Sequence, residues 1–253
     1  MNKTRVIPVL LLRGKGLVKT TKFKDPSYIG DPINSVRIFN EKEVDELVFL
    51  DITATPEGRG PDFELLFDIA GEAFMPMAYG GGITTIEQMK RIFSLGFEKI
   101  IINSAAYSTP NVIREAVAIY GSQSIIGCID VKKTLLGRYE LYSHSATNKQ
   151  SIDLKTHLKN LITLGIGEIL VNTIDRDGTM NGYDLKLLRE VTSSVNVPVV
   201  ACGGASGMAD FVAAVKEASV SAVAAGALFV YMGPHRAVLI NYPPRKEIEE
   251  HLP

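Results

Sequence analysis

The strongest constraint on the fold of this chain is an internal repeat. The segment DELVFLDI, which contains Glu46, is similar to GEILVNTI, which contains Glu168, and the two glutamates are 122 residues apart. The segments MPMAYGGGIT and VPVVACGGAS repeat at the same interval, with Pro76 matching Pro198. A repeat of this length indicates that two similar structural units are joined in one fold.

Short strand-like segments alternate with helical segments along the whole chain of 253 residues, which predicts right-handed β–α–β units and a parallel sheet. Eight such units match an α/β fold of the (β/α)8 TIM barrel type. Residues 1–253 would form one barrel, with half-barrels at roughly 1–122 and 123–253. A doubly wound open sheet is the alternative, but the twofold repeat favours a closed barrel. We expect strands near residues 5–12, 46–52, 75–79, 99–103, 124–131, 168–173, 197–202 and 222–226.

Local sequence signals predict several helix ends between these strands. Thr84 and Glu87 have the spacing of a capping box, and Thr109 precedes Pro110, which suits the first turn of a helix. Three glycines follow helical segments, as expected at helix C-termini: Gly96, Gly121 and Gly165.

The composition excludes some partners and locations. A formal net charge of −1 gives no general attraction to nucleic acid or to acidic membranes. Cys128 and Cys202 are too few for a disulfide framework and lie in apolar segments, so we expect two reduced, buried thiols. The apolar N-terminal segment is too short for a secretory signal, and the late apolar run 222–232 is too short to span a membrane. These features predict a soluble, cytoplasmic protein with neither nucleic acid nor membrane as partner.

Alternate residues of a strand share one face, and this alternation predicts polar groups at both ends of an apolar barrel lumen. The C-terminal end, where barrel enzymes have their active sites, would carry Asp130, Asn103 and Asn172. The N-terminal end would carry two positive and two negative side chains, which form either an ordered cluster or separately solvated charges. These are Arg5, Glu46, Lys99 and Glu168.

Two glycine-rich loops follow equivalent strands, GGGI at 80–83 and CGGA at 202–205. Backbone amides at such loops and at nearby helix starts bind phosphate without cations. Two symmetric loops therefore predict a ligand with a phosphate at each end, unless the glycines serve only as tight turns. The acidic loop DRDGT and the four histidines do not have the spacing of a metal site, so we expect no metal and no cofactor.

These segments, in this order, resemble the HisF family, the cyclase subunit of imidazole glycerol phosphate synthase. The similarity covers roughly Arg5 to Tyr231 and rests on DELVFLDITA, GGGI, INSAA, GSQ, GEILVNTIDRDGT and GYDL. It implies a barrel evolved from two half-barrels, which receives ammonia through its lumen from a HisH-like glutaminase on its N-terminal face. It also implies that the ammonia splits and cyclises a bisphosphorylated ribonucleotide at the C-terminal face.

The resemblance assigns roles to individual residues. It implies phosphate contacts at Gly82, Asn103, Ser104, Asp177, Gly178, Gly204, Gly226 and Ala227. It implies an ammonia gate formed by Arg5, Glu46, Lys99 and Glu168, with Glu98 at the glutaminase interface. Lys19, on the first loop, and Asp130 match catalytic residues of the family.

The second catalytic carboxylate of that family is expected at position 11, where this chain has Leu11. The internal repeat relates Leu11 to Asp130, 119 residues later. Cyclisation with loss of a leaving group needs an acid and a base, and leucine can be neither. The resemblance therefore implies that cyclase chemistry is weak or absent.

The combination of matching gate residues with an altered catalytic position resembles a branch of HisF-like proteins associated with lipopolysaccharide and other surface-polysaccharide biosynthesis. The tail HRAVLINYPPR at 235–245 is also similar to that branch. That resemblance implies delivery of ammonia to a separate sugar amidotransferase, for amidation of an N-acetyl sugar. Two alternatives stay open. One is a genuine cyclase subunit of histidine biosynthesis, a lyase that uses Asp130 alone. The other is a non-catalytic, bisphosphate-binding scaffold that regulates a glutaminase.

Overall fold

The computed structural model describes residues 3–253 and shows a closed barrel of eight parallel strands. Each barrel strand pairs with the next one along the chain, and the last pairs with the first, with Arg5 opposite Ala222. The predicted (β/α)8 barrel is confirmed, whereas the division into half-barrels near residue 122 stays a prediction. The barrel strands are Arg5–Arg13, Leu47–Asp51, Met77–Gly80, Lys99–Ile102, Ile125–Lys133, Glu168–Thr173, Val199–Cys202 and Ala222–Ala225.

Helices follow the strands and cover the outside of the barrel. Their apolar faces pack against outward-facing strand residues such as Leu10, Phe49 and Ile129, all of which are buried in one large core. Burial of this apolar surface is the main source of stability for the fold. Within residues 3–253, every helix is too short or too polar to cross a lipid bilayer. The helices are Pro32–Glu41, Phe63–Glu72, Ile86–Ser94, Ser104–Ser108, Pro110–Tyr120, Leu154–Leu164, Leu185–Thr192, Met208–Ala218, Ala227–Val230 and Arg245–His251, with a 3-10 turn at Ser122–Ser124.

Two equivalent hairpins extend from the first and fifth strands over the C-terminal end of the barrel. Leu11 pairs with Val18 in the first hairpin, and Asp130 pairs with Tyr142 in the second, so both hairpins leave the barrel at matching positions of the repeat. A smaller ribbon follows the eighth strand. The additional strands are Gly16–Thr21, Lys24–Gly30, Tyr139–Ser143, Asn148–Lys149, Tyr231–Met232 and Ala237–Val238.

One predicted helix start is wrong by one residue. Thr85, rather than Thr84, caps the helix Ile86–Ser94, because its extended backbone lets its hydroxyl accept a hydrogen bond from the Gln88 amide. Gln88 Oε1 in turn accepts a hydrogen bond from the Thr85 amide, so the third helical position is Gln88 and not Glu87. The helix start at Pro110 and the glycines after three helices are as predicted: Gly96, Gly121 and Gly165.

Inward-facing residues form a second apolar cluster inside the barrel, separate from the helix-facing core. The strand register stacks these residues in layers of four, each supplied by alternate strands. The thiols of Cys128 and Cys202 are free and buried, as predicted, and belong to the uppermost apolar layer. From the N-terminal end, the three layers are Ile7, Ala78, Ile126 and Val200, then Val48, Ile101, Leu170 and Ala224, then Val9, Gly80, Cys128 and Cys202.

Gly167, just before the sixth strand, provides a test of the packing outside the barrel. A Cβ atom at Gly167 would lie 2.3 Å from the Ser122 carbonyl oxygen, so Gly167→Ala must displace backbone. We expect it to lower the free energy of unfolding by about 2 kcal/mol. Gly71 is the control, because it lies in a helix and a Cβ atom there would have open space within 4 Å. Gly71→Ala should raise stability by roughly 0.5–1 kcal/mol. Urea denaturation measures both, and equal effects would contradict this packing.

Candidate functional site

Four charged side chains form a closed ring at the N-terminal end of the lumen. Arg5 donates hydrogen bonds to both Glu46 and Glu168. Lys99 Nζ lies 2.9 Å from Glu46 Oε2 and 3.2 Å from Glu168 Oε2. Each cation therefore contacts both anions, and the charges alternate around the ring. Strand register brings the four together, because three of them begin their strands and Glu46 immediately precedes its own.

The carboxylates of the ring are buried, and its cations are partly exposed. The side chains of Glu46 and Glu168 are 4% and 7% exposed, against 29% for Arg5 and 20% for Lys99. Burial disfavours the charged form of Arg5, but the carboxylates of Glu168 and Glu46 outweigh it and raise the pKa of Arg5. The four side chains thus form an ordered, mutually neutralising cluster rather than separately solvated charges. Glu98, beside Lys99 in sequence, is exposed at the same end of the barrel.

A cavity opens above the apolar lumen, at the C-terminal end of the barrel. It contains every residue for which the sequence predicts a phosphate-binding or catalytic role at this end, and those roles stay predictions. Among residues 3–253, no group of three histidine, cysteine, aspartate or glutamate side chains could hold a metal ion. The predicted residues that line the cavity are Leu11, Lys19, Gly82, Asn103, Ser104, Asp130, Asp177, Gly178, Gly204, Gly226 and Ala227.

The glycine-rich loops form two equivalent poles of this cavity. Cβ atoms on Gly82 and Gly204 would lie 2.5 Å and 2.3 Å from main-chain oxygens of neighbouring loops. Both residues have positive φ, +68° and +111°, which glycine adopts more easily than other residues. Short helices begin beside them at Ser104 and Ala227, and first-turn amides lack partners within a helix. We call the Gly82–Ser104 side the first pole and the Gly204–Ala227 side the second pole.

Asp130 enters the cavity from the fifth strand and has no ion-pair partner in the described part of the chain. Its Oδ2 accepts a hydrogen bond from Asn103 Nδ2 at 2.8 Å, and the Cys128 thiol lies 3.8 Å from Oδ1. Burial raises the pKa of Asp130 to about 7; the Asp177 carboxylate adds to this effect, and hydrogen bonds from Cys128 and Asn172 oppose it. A carboxyl group that titrates near neutral pH can both accept and donate protons in catalysis.

Leu11 lies at the level of Asp130, on the opposite side of the barrel. The first and fifth of eight strands face each other across the barrel axis, and the strand register places both residues in the layer above Cys128. Leu11 is 9% exposed and belongs to the lumenal apolar cluster, as does Val18. The cavity therefore has a carboxyl group on one side and a hydrocarbon surface on the other.

Lys19 is held in a buried ion pair. Its Nζ lies 2.6 Å from Asp177 Oδ1 and donates to the Thr20 carbonyl oxygen at 2.9 Å. Asp177 Oδ2 also accepts hydrogen bonds from the Thr20 hydroxyl and the Phe23 amide. These bonds fasten the first hairpin to the loop after the sixth strand. They also bring the Lys19 stem over the second pole, where a Cβ on Gly226 would lie 3.0 Å from Lys19 Cε.

Two features of the cavity were not predicted from the sequence. Asp51, buried at the end of the second strand, receives two hydrogen bonds from the Arg59 guanidinium, at 2.8 and 3.0 Å, and this pair braces the loop between them. The acidic end of DELVFLD is a sequence signal for Asp51. His144 lines the cavity from the second hairpin. No motif marks His144, because its position depends on the path of the hairpin.

The burial of Asp130 predicts a pH-dependent loss of stability. Because the pKa of Asp130 is raised in the folded state, the unfolded chain loses this proton at a lower pH than the folded chain does. The free energy of unfolding therefore falls as pH rises from about 4 to about 7. Asp130→Asn removes this contribution, which is roughly 1.4 kcal/mol per pH unit within that window. Urea unfolding of both proteins across the window should show a difference in stability that grows with pH. A difference that stays constant with pH would contradict a raised pKa.

Known proteins resemble this chain over nearly its whole length. A family model described as histidine biosynthesis protein matches residues 5–234. A Pseudomonas aeruginosa protein, named provisionally as imidazole glycerol phosphate synthase subunit hisF2, is 51% identical over 96% of this chain and 97% of its own length. A Leptospira interrogans protein with the provisional subunit name HisF is 50% identical over 98% of each chain. The imidazole glycerol phosphate synthase subunit HisF of Alkaliphilus metalliredigens is 39% identical over 90% of each chain. The chain therefore belongs to the histidine biosynthesis protein family, among its HisF-like imidazole glycerol phosphate synthase subunits.

Proposed function

We propose that this barrel conducts ammonia from a HisH-like glutaminase on its N-terminal face to the cavity at its C-terminal face. The ammonia then serves a separate sugar amidotransferase, which amidates an N-acetyl sugar in surface-polysaccharide biosynthesis. Cyclase chemistry in the cavity is weakened by Leu11. The observation that carries the proposal is the combination of a complete charged ring below the lumen with Leu11 opposite Asp130 above it.

The lumen between the two ends supports passage of ammonia rather than ammonium. Its three layers are hydrocarbon, glycine and thiol, and an ammonium ion without a partner there would lose its hydration. Neutral ammonia has a much smaller desolvation cost, so an apolar lumen selects the neutral form. Ala78 and Ala224 have small side chains, which leave more room in the lumen than larger residues would. The ring of Arg5 and Lys99 with its two glutamates would then act as the ammonia gate.

The N-terminal face has features that suit a protein partner. Phe74, in the loop before the third strand, is 89% exposed, and its amide donates to Asn40 Oδ1 at 3.0 Å. Glu98 is exposed in the loop before the fourth strand. Aromatic side chains are enriched at protein interfaces, and the rim of an interface is polar. These residues support a glutaminase interface around the ring.

A genuine cyclase of histidine biosynthesis is the second candidate. The Alkaliphilus metalliredigens relative, 39% identical to this chain, is named imidazole glycerol phosphate synthase subunit HisF. Asp130, with its pKa near 7, could act as acid and base in turn. The two candidates differ in whether the cavity needs a second carboxylate at position 11.

Cyclase activity on the bisphosphorylated aminoimidazole-carboxamide ribonucleotide, with excess ammonium at alkaline pH, separates these candidates without a glutaminase. We expect little turnover from the unmodified chain. Leu11→Asp should raise turnover by about 10²-fold or more, because it supplies the second proton-transfer group. Leu11→Asn is the matched control, because asparagine is polar and similar in shape to aspartate but cannot exchange a proton. This variant should give no gain in turnover. Turnover of the unmodified chain in the range of HisF enzymes would favour the second candidate.

Substitution of Lys99 tests the entrance. Lys99→Ala leaves Glu46 and Glu168 paired only with Arg5, so we expect a stability loss of roughly 1–3 kcal/mol. In the glutaminase complex it should also lower the fraction of released ammonia that reaches an acceptor. Lys90→Ala, on an exposed helix position, is the control. If the active complex transfers ammonia equally well with either substitution, Lys99 has no gating role.

If glutamine hydrolysis responds to ligand but no ammonia reaches any acceptor, the protein is a regulatory scaffold instead.

A further inference from the structure

The two poles of the cavity differ in the cations available to them. The ionisable side chains that line the cavity are Lys19, Asp51, Cys128, Asp130, His144, Asp177 and Cys202. Lys19 is bound by Asp177 at the second pole, and Asp51 is bound by Arg59 behind the first. Within the described chain, His144 is thus the only basic side chain lining the cavity that is outside an ion pair.

Hydrogen bonds hold His144 above the first pole. Its amide donates to Ser104 Oγ at 3.2 Å, and the hydroxyl of the next residue, Ser145, donates to the Ile52 carbonyl oxygen at 2.6 Å. The hairpin is therefore tied to the loops after the fourth and second strands, on either side of the glycine-rich loop that contains Gly82. This arrangement places His144 beside Ser104, where the short helix of the first pole begins, and His144 lines the cavity there.

A chain of hydrogen bonds orients the His144 ring. Gln150 Nε2 donates to Ser143 Oγ at 2.8 Å, and Ser143 Oγ lies 2.8 Å from His144 Nδ1. Because the Ser143 oxygen already accepts from Gln150, its hydroxyl proton is free to donate to Nδ1 of a neutral ring. The proton of that neutral ring is then on Nε2, which has no protein partner among the described residues. Nε2 is a donor in the protonated ring as well, so it can bind an anion in either state.

The backbone around His144 is strained. His144, Ser145 and Ala146 have φ values of 54°, 54° and 65°, three successive left-handed conformations without a glycine. Left-handed backbone is unfavourable for such residues and persists where surrounding contacts impose it, often at functional sites. The bonds from Ser143, Ser145 and the His144 amide provide those contacts.

We propose that His144 Nε2 is a ligand for the phosphate group bound at the first pole, and that protonation of this ring strengthens binding of that phosphate. The proposal rests on the phosphate contacts that the HisF resemblance implies at Gly82, Asn103 and Ser104, and on the cavity of the proposed function, which these residues line. It gives the first pole an imidazole donor, opposite the Lys19–Asp177 pair of the second pole. The other charged groups that line the cavity with His144 are Asp130 and Asp51, the latter paired with Arg59, and the hairpin that carries His144 also holds the pair Glu140–Lys149.

Inorganic sulfate is the probe, because it is a tetrahedral dianion whose charge stays constant while imidazole titrates, between about pH 5 and pH 8. Sulfate binding is measured by calorimetry across this range for the unmodified chain, His144→Gln and His235→Gln. His235 is an exposed histidine outside the cavity and serves as the matched control. Ring resonances of the histidines, followed by NMR, show which side chain responds to sulfate.

We expect sulfate to bind the unmodified chain and His235→Gln about five- to tenfold more tightly at the acidic end of the range, because a hydrogen bond to a charged donor is stronger. His144→Gln should bind weakly at every pH, and only the His144 ring resonances should move on addition of sulfate. Equal affinities and pH profiles for the two glutamine variants would overturn the proposal, as would an unmodified chain that does not bind sulfate. Ammonia transfer is measured separately, so a failure of the conduit leaves this sulfate result unchanged and is distinguishable from it.

Discussion

The register of the eight parallel strands is the constraint on which the entrance, the lumen and the cavity all depend. Closure of the barrel through the pairing of Arg5 with Ala222 fixes which residues face inward along every strand. A slip of one residue in any strand would turn its lumenal side chains toward the helices. The same alternation therefore sets the charged ring, the three apolar layers and the level of Asp130, and none of these can move independently of the others.

The two halves of the barrel share a backbone plan but differ in chemistry at matching positions. Asp130 and Leu11 occupy equivalent strand ends, yet only Asp130 can exchange a proton. The hairpins that follow them also differ, since the first is fastened by the buried Lys19–Asp177 pair and the second carries His144 through neutral hydrogen bonds. Two equivalent glycine-rich poles thus surround an asymmetric set of ionisable groups, which is consistent with the proposal that the conduit is retained while the exit chemistry has changed.

Much of this architecture is predictable from the sequence, because alternation and repetition are local patterns. The eight strands and their inward faces follow from a period of two and a repeat of 122 residues, and the same alternation places the four charged residues at one end of the lumen without showing that they pair. The pairing of Lys19 with Asp177, the brace between Asp51 and Arg59 and the placement of His144 are not predictable in this way. Each depends on where a loop crosses its neighbour, and the loops that carry Lys19 and His144 also contain left-handed backbone in residues that rarely adopt it. The capping box forms at Thr85 and not at the preceding threonine. The sequence does not distinguish the two, because adjacent threonines offer the same side-chain chemistry.

Passage of ammonia through the lumen is tested most directly by isotope competition. The chain, its glutaminase and the acceptor enzyme are given glutamine labelled with 15N in the amide group, in the presence of excess unlabelled ammonium. We expect the amidated product to retain the glutamine nitrogen. We also expect Ala224→Leu, which fills the middle layer of the lumen, to abolish that label while ammonium-dependent amidation continues. A product from the unmodified complex whose nitrogen matches the bulk ammonium would contradict a conduit through the barrel.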